Sequence, residues 1–196
     1  MNNTKNSIDN ISFKMFLEKG YESTNIRDIC QEVGIKPSSL YFYYPSKEAI
    51  FFNLYDDIWK EKLTGINNLI ESNNDKSANE ILFDIFKGVI KGELFKLINN
   101  KFLLRYHLFP SSELSDGIAS RYSYWSNKER ELFSDLFIKC KEFNVLPNSI
   151  TLKKYYQKYK IFEYMIVGET IVSGLRLSEE EVNFHWNNFS RTLQTI

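Results

Sequence analysis

The chain has 196 residues, 43% apolar and 26% charged, which suits one buried core or two joined ones and excludes disordered, collagen-like and disulfide-stapled classes. Its 25 basic residues meet 25 acidic ones, so no net charge draws the chain as a whole to nucleic acid or acidic lipid. Two cysteines are too few for a secreted framework, no apolar run reaches the roughly 18 residues of a membrane span, and the polar N-terminus has no signal-peptide core; together these predict a soluble cytoplasmic protein.

Helical spacing dominates and no alternating run is bounded by hairpin turns, so the expectation is all-α, with about nine helices. A first helix, about Ile8 to Lys19, sets Ile8, Ile11, Met15 and Phe16 on one face and stops at Gly20. Ser23-Thr24 offers an N-cap to a short second helix with the stripe Ile26, Ile29, Cys30, Val33, ended by Gly34. Pro37 suits the first turn of a very short third helix reaching about Tyr43, and Pro45 breaks the chain again. Ser46 then caps a long fourth helix through Ile50, Phe51, Leu54, Tyr55, Ile58 and Leu63.

Ser77-Ala78-Asn79-Glu80 reads as a capping box opening a fifth helix through Ile81, Ile85 and Val89. A sixth, from about Leu94 to Phe109, ends in Arg105 and His107 and stops at Pro110. The spacing predicts one long seventh helix from about Glu113 to Phe143 and an eighth from about Thr151 to Ser173, before Gly174. A second capping box, Ser178-Glu179-Glu180-Glu181, opens the last helix, whose Val182, Trp186, Phe189, Leu193 and Ile196 form a seam at 4, 3, 4, 3 spacing that wants a partner helix.

The second and third helices, joined by a short turn at Gly34, form a helix-turn-helix: one helix braces the DNA backbone while the other enters the major groove. The small polar start Lys36-Pro37-Ser38-Ser39 allows close approach to base edges. Residues 20–54, GYESTNIRDICQEVGIKPSSLYFYYPSKEAIFFNL, resemble the DNA-binding segment of the tetracycline-repressor (TetR) family of bacterial regulators. The matching elements are Gly20-Tyr21, Thr24, Asp28-Ile29, Val33-Gly34-Ile35, Leu40-Tyr41, Tyr44 and Ser46-Lys47-Glu48.

That resemblance implies a DNA-binding domain over 1–45 and a helical effector-binding and dimerisation domain over 46–196. It implies phosphate contacts for Thr24 and Lys47, and backbone or base-edge contacts for Tyr41 and Tyr43. It also implies groove-facing positions for Arg27, Lys36, Pro37, Ser38 and Ser39. The chemistry suits these roles: a lysine and a hydroxyl-capped helix start hold phosphate, Arg27 can read guanine bidentately, and Pro37 can touch a thymine methyl. Phe42 stands where many relatives carry a hydrogen-bonding Tyr or Trp, and Lys36 replaces a frequent serine cap. Over residues 1–48 six cations meet six carboxylates, so any basic footprint has to come from segregation.

In the remainder, the stripe Ile118, Tyr122, Trp125, Glu129, Leu132, Leu136, Cys140, Phe143 is interrupted by a carboxylate, which has to be paired, wet or functional. The expected effector pocket is lined by Phe102, Tyr106, Tyr122, Trp125 and Phe162, with Glu129 or Glu169 facing a cationic group. The resemblance implies a homodimer built on the last two helices, here through Tyr159, Ile166, Val182, Trp186, Phe189 and Leu193. Two histidines without zinc spacing, no phosphate-cradling glycine loop and no nucleophile triad argue against an enzyme, a metal or a cofactor. The expected function is a repressor released from operator DNA by a small-molecule effector; the competing reading is a helical interaction or small-molecule-binding protein without DNA-binding activity.

Overall fold

A computed structural model describes residues 2–73 and 75–194. Among them the chain is helical throughout, with no strand. The helices are α1 (Asn2–Lys19), α2 (Ile26–Val33), α3 (Pro37–Tyr41), α4 (Lys47–Ser72), α5 (Ala78–Ile90), α6 (Leu97–Leu108), α7 (Ser115–Leu132), α8 (Ser134–Glu142), α9 (Leu152–Ser173) and α10 (Glu179–Gln194). The long seventh helix expected from spacing is two, α7 and α8, parted at Phe133. That ring is fully buried and closes on Tyr159 with centroids 5.0 Å apart, so packing fixes a joint that the local sequence does not announce. Counted through that joint, the helices among the described residues number nine, as expected.

Local chemistry explains most of the other ends. Ser77 accepts from the Glu80 amide while Glu80 reaches back to the Ser77 amide, and Ser178 and Glu181 repeat the device on α10. Thr151 caps α9, and Gly174, at φ 68°, ends it in the left-handed region.

The chain packs as two compact units. The first takes in residues up to Lys60 together with Arg105–Arg121. Its centre is Phe51, whose ring meets those of Phe16, Tyr21 and Tyr106 at centroid distances of 5.7, 5.5 and 4.6 Å. The Tyr106 hydroxyl donates to the Phe16 carbonyl at 2.8 Å. The second unit takes in Glu61–Leu104 and Tyr122–Ile196. Its apolar core joins α5, α8, α9 and α10 around Phe86, Phe133, Tyr155, Tyr159 and Phe189. The two cysteines are both buried, Cys30 in the first unit and Cys140 in the second.

Two expectations are corrected here. The seam on α10 does not wait for another molecule: Val182, Phe189 and Leu193, with Tyr159 and Ile166 of α9, are at most 3% exposed within this chain's own core. Trp186, partly buried, lies against Phe83, Phe86 and Phe189 at 5.6, 5.3 and 5.4 Å. The partners that the stripe requires are α5 and α9 of the same chain. Ile196, which ended the expected seam, lies outside the described residues. Tyr106, expected in a pocket with Tyr122 and Phe162, belongs instead to the first unit's core, where its ring and hydroxyl are both engaged.

Candidate nucleic-acid interface and effector residues

The first unit builds a helix-turn-helix from local rules. Gly20, at φ 89°, ends α1, and the Thr24 hydroxyl closes the following turn by donating to the Gly20 carbonyl at 2.8 Å. The cap of α2 is Asn25, not Ser23 or Thr24: its side chain accepts from the Asp28 amide at 2.9 Å, in extended backbone geometry. At the far end Gly34 takes φ 76° and the Ile35 amide donates to the Cys30 carbonyl at 2.9 Å, a closure that needs the left-handed region at residue 34. Pro37 then opens α3, whose N-cap Lys36 makes no side-chain cap.

The turn is anchored from beneath. Ile29, Cys30 and Leu40 are buried, while Lys36, Pro37, Ser38 and Ser39 are all exposed. The start of α3 therefore projects four small or flexible residues from a rigid mount. Arg27 is exposed near the start of α2, Tyr41 and Phe42 are exposed at the end of α3 (Phe42 at 77%), and Tyr43 is half-buried. The Phe42 ring contacts Tyr43 edge-on at 5.4 Å. With no polar atom on its ring, Phe42 offers apolar contact where a hydroxyl would offer a hydrogen bond.

Two residues assigned to phosphate have structural duties. Thr24 is buried, its hydroxyl and amide spent on Gly20 and Tyr21, so its side chain is not offered to a ligand. Lys47, at the start of α4, donates to the Tyr21 carbonyl at 2.9 Å and lies 4.0 Å from the centroid of the Tyr21 ring. An ammonium has three donors, so Lys47 retains capacity for an anion while tying α4 to the turn. The fixed position of Tyr21 has its own support, a hydroxyl bond to Glu113 at 2.9 Å.

In the second unit, Glu129 is paired by its own chain. Lys62 of α4, Glu129 of α7 and Lys160 and Glu163 of α9 form a closed ring of ion pairs. The distances are 2.7 Å for Lys62–Glu129, 2.6 Å for Lys62–Glu163, 3.2 Å for Lys160–Glu129 and 2.9 Å for Lys160–Glu163. All four side chains are buried and the Tyr156 hydroxyl also donates to Glu129. Burial works to raise the Glu129 pKa, but Lys160 and Lys62 outweigh it and hold the carboxyl down to about 2. The same balance, with Glu129 and Glu163 outweighing burial, holds Lys160 protonated well above the usual lysine range.

Glu129 therefore has no charge left over for a cationic ligand. Glu169 is exposed on α9, and Phe102 is fully buried. Phe162 packs into the core, 5.5 Å from Phe189. Trp125 is half-buried on α7, its ring edge-on to exposed Tyr124. Tyr122, also half-buried, does line a cleft, described below. The ring's other members are visible in the sequence only as charges on apolar stripes: Lys62 falls in the series Tyr55, Trp59, Lys62, Ile66, and Lys160 and Glu163 fall three apart on α9.

Residues 12–54 match the family described as bacterial regulatory proteins, tetR family. That stretch carries the tetR-family pattern. The negative regulator of the biofilm operon icaADBC, IcaR of Staphylococcus aureus strain Newman, is 39% identical over 74 residues, 38% of this chain and 37% of IcaR. The HTH-type regulator YuxN of Bacillus subtilis strain 168 is 34% identical over 58 residues, 30% of this chain and 20% of YuxN. The matched stretch thus spans little more than a third of these relatives at most.

Solved structures extend the likeness of fold to the whole chain. A TetR-family regulator from Rhodococcus sp. superposes with a TM-score of 0.70 at 14% identity, covering 100% of this chain and 99% of that one. The ketosteroid regulator KstR2 of Mycobacterium tuberculosis gives 0.68 at 16%, covering 97% and 93%. At such identities it is the fold that is shared.

Proposed function

We propose that the protein is a dimeric, sequence-specific DNA-binding repressor that a small-molecule effector releases from its operator. The observation that carries this reading is the exposed start of α3, Lys36 to Ser39, mounted on the buried Leu40 within the stretch that carries the tetR-family pattern. A rigid helix with a small polar N-terminal turn is what the major groove admits. Negative regulation is what IcaR's name states of IcaR, and it comes to this chain as part of the proposal.

In this reading residues 1–45 contact DNA and 46–196 carry pairing and ligand response. Arg27, Pro37, Ser38 and Ser39 read the groove, with Arg27 on guanine and Pro37 on a thymine methyl, while Lys36 stands at the groove's edge and meets phosphate. Tyr41, Tyr43 and Lys47 hold backbone, and Phe42 packs on sugar or methyl groups. Such a regulator works in the cytoplasm, where two unpaired thiols persist reduced.

Pairing is assigned to the outer face of α9 and α10. Ile161, Met165 and Val172 are exposed at positions i, i+4 and i+11 of α9, one helical stripe, and Phe184 is exposed on α10. Gly168 completes the stripe at i+7, and an added Cβ there would meet nothing within 4 Å. A glycine inside a helix costs about 1 kcal/mol against alanine, so one without an internal packing reason fits a close approach by a second copy. Two copies then present two α3 helices to half-sites about 34–36 Å apart.

The test is selection of duplexes from a random pool followed by mobility shift. The expected result is a retained, palindromic sequence bound by two copies. No shift with any duplex at low ionic strength overturns the reading.

A further inference from the structure

A cleft of 490 Å³ opens in the second unit between α7 and α9. That is the size of a small-ligand site. Lys160 of the ionic ring and Tyr156, which donates to the ring's Glu129, line it, with Tyr122 and Arg130 from α7 and Lys153 and Tyr164 from α9. No carboxylate is among its described lining residues.

The charge balance decides what the cleft accepts. Lys160 is neutralised from behind by Glu129 and Glu163, and its ammonium sits 4.8 Å from the centroid of Tyr164, so it contributes a fixed floor instead of an open charge. Arg130 and Lys153 are different: neither is ion-paired among the described residues, and the carboxylate next in sequence, Glu131, is held by Lys128 at 2.9 Å. Two cations unpaired among the described residues therefore face a cleft walled by three tyrosine rings. A cationic ligand would add a like charge to this pair, and a neutral one would leave it unmatched. An anion is held by the planar fork of Arg130 with Lys153 as a second donor.

We propose that this cleft binds a small organic anion with a flat apolar body. Its negative group meets Arg130 and Lys153, and its body lies against Tyr122, Tyr156 and Tyr164. This rests on the reading of the second unit as ligand-responsive and reverses the charge expected from Glu129 alone. The ring explains why Glu129 does not oppose it: the carboxylate is already held by two lysines.

The test uses the full-length protein without DNA, followed by calorimetry and thermal unfolding. The probes are 1-naphthoate, its neutral amide, 1-naphthylmethylammonium and inorganic phosphate. Naphthoate is expected to bind and raise the unfolding temperature, with the amide, the ammonium and phosphate each at least tenfold weaker. Arg130→Gln and, separately, Lys153→Gln are each expected to weaken naphthoate at least tenfold. The exposed Lys153 keeps the test valid if Arg130→Gln misfolds, and Arg191→Gln on α10 is expected to bind as the wild type does. Amide binding equal to naphthoate, phosphate alone binding as tightly, or unchanged binding in both cleft variants overturns the proposal. If naphthoate fails while selected DNA is still bound, the cleft assignment falls and the regulator reading stands. If naphthoate binds a protein that shifts no DNA, the cleft stands and the regulator reading falls.

Discussion

Lys62 of α4 and Glu163 of α9, 101 positions apart in the sequence, meet at 2.6 Å with both side chains at most 2% exposed. Each is also bonded to the other acid or base of the ring, so the four charges cancel in a space from which water is excluded. Removing one partner leaves a buried charge without its counterpart, which costs more than the pair is worth. Lys62→Met is expected to lower stability by about 3–5 kcal/mol in denaturant unfolding. The double change Lys62→Met with Glu163→Leu restores balance around the Glu129–Lys160 pair and is expected to recover most of that loss. Strict additivity of the two single changes would show that the residues do not act as a unit.

The ring also fixes a response to acid. Glu129 has its carboxyl pKa lowered to about 2: burial opposes ionisation, and Lys160 and Lys62 more than reverse it. A carboxylate depressed on folding contributes stability that is whole above its unfolded value, about 4.3, and is lost as pH falls toward the folded one. Stability measured by urea unfolding is expected to decline from about pH 4.5 downward, and Glu129→Gln to be less stable at neutral pH with a flatter acid limb. A variant as acid-sensitive as the wild type would move that limb to other carboxylates.

The correction on α10 separates folding from pairing. Phe189→Ala empties a core site and is expected to cost about 3–5 kcal/mol of folding stability. Val172→Glu, at a position 84% exposed, is expected to leave folding within about 0.5 kcal/mol and to turn a dimer into monomer by light scattering. Gly168→Ala is expected to raise the unfolding temperature of isolated chains, through helix propensity, while weakening association. A dimer that survives Val172→Glu would remove the outer face of α9 from the interface.

On DNA, Arg27 and Lys36 are expected to part company. Arg27→Ala should cost about 1–3 kcal/mol on the selected sequence and relax the preference at one position. Lys36→Ala should weaken all duplexes alike and reduce the salt slope by about one. Lys47→Ala is expected to do the same and, because Lys47 also holds the Tyr21 carbonyl, to lower thermal stability where Lys36→Ala does not. Identical salt and sequence profiles for Arg27 and Lys36 would erase this division.

What the sequence disclosed was set by distance along the chain. Gly34, Ser77, Ser178 and Gly174 act within one turn of their helices, and each is found where its chemistry puts it. The cap of α2 was displaced only from Ser23-Thr24 to Asn25, because Thr24 is drawn into the preceding turn by Gly20. The partners of Glu129 lay beyond this range. An interrupted apolar stripe says that a carboxylate is buried, and nothing local says that Lys62 arrives to meet it. The α10 seam failed as an interface for the same reason, since a stripe records a need for contact and leaves open which helix supplies it. The joint at Phe133, likewise, is made by Tyr159.

Each compact unit encloses one natural thiol, Cys30 in the first and Cys140 in the second, both at most 2% exposed. Burial pushes both pKa values up, that of Cys140 to about 11, so an alkylating reagent at neutral pH finds little thiolate and no path to it. Labelling can proceed only while a unit is transiently open. The wild-type chain thus carries two internal clocks, and mass spectrometry of the two chymotryptic peptides would time the opening of each unit without any engineered probe.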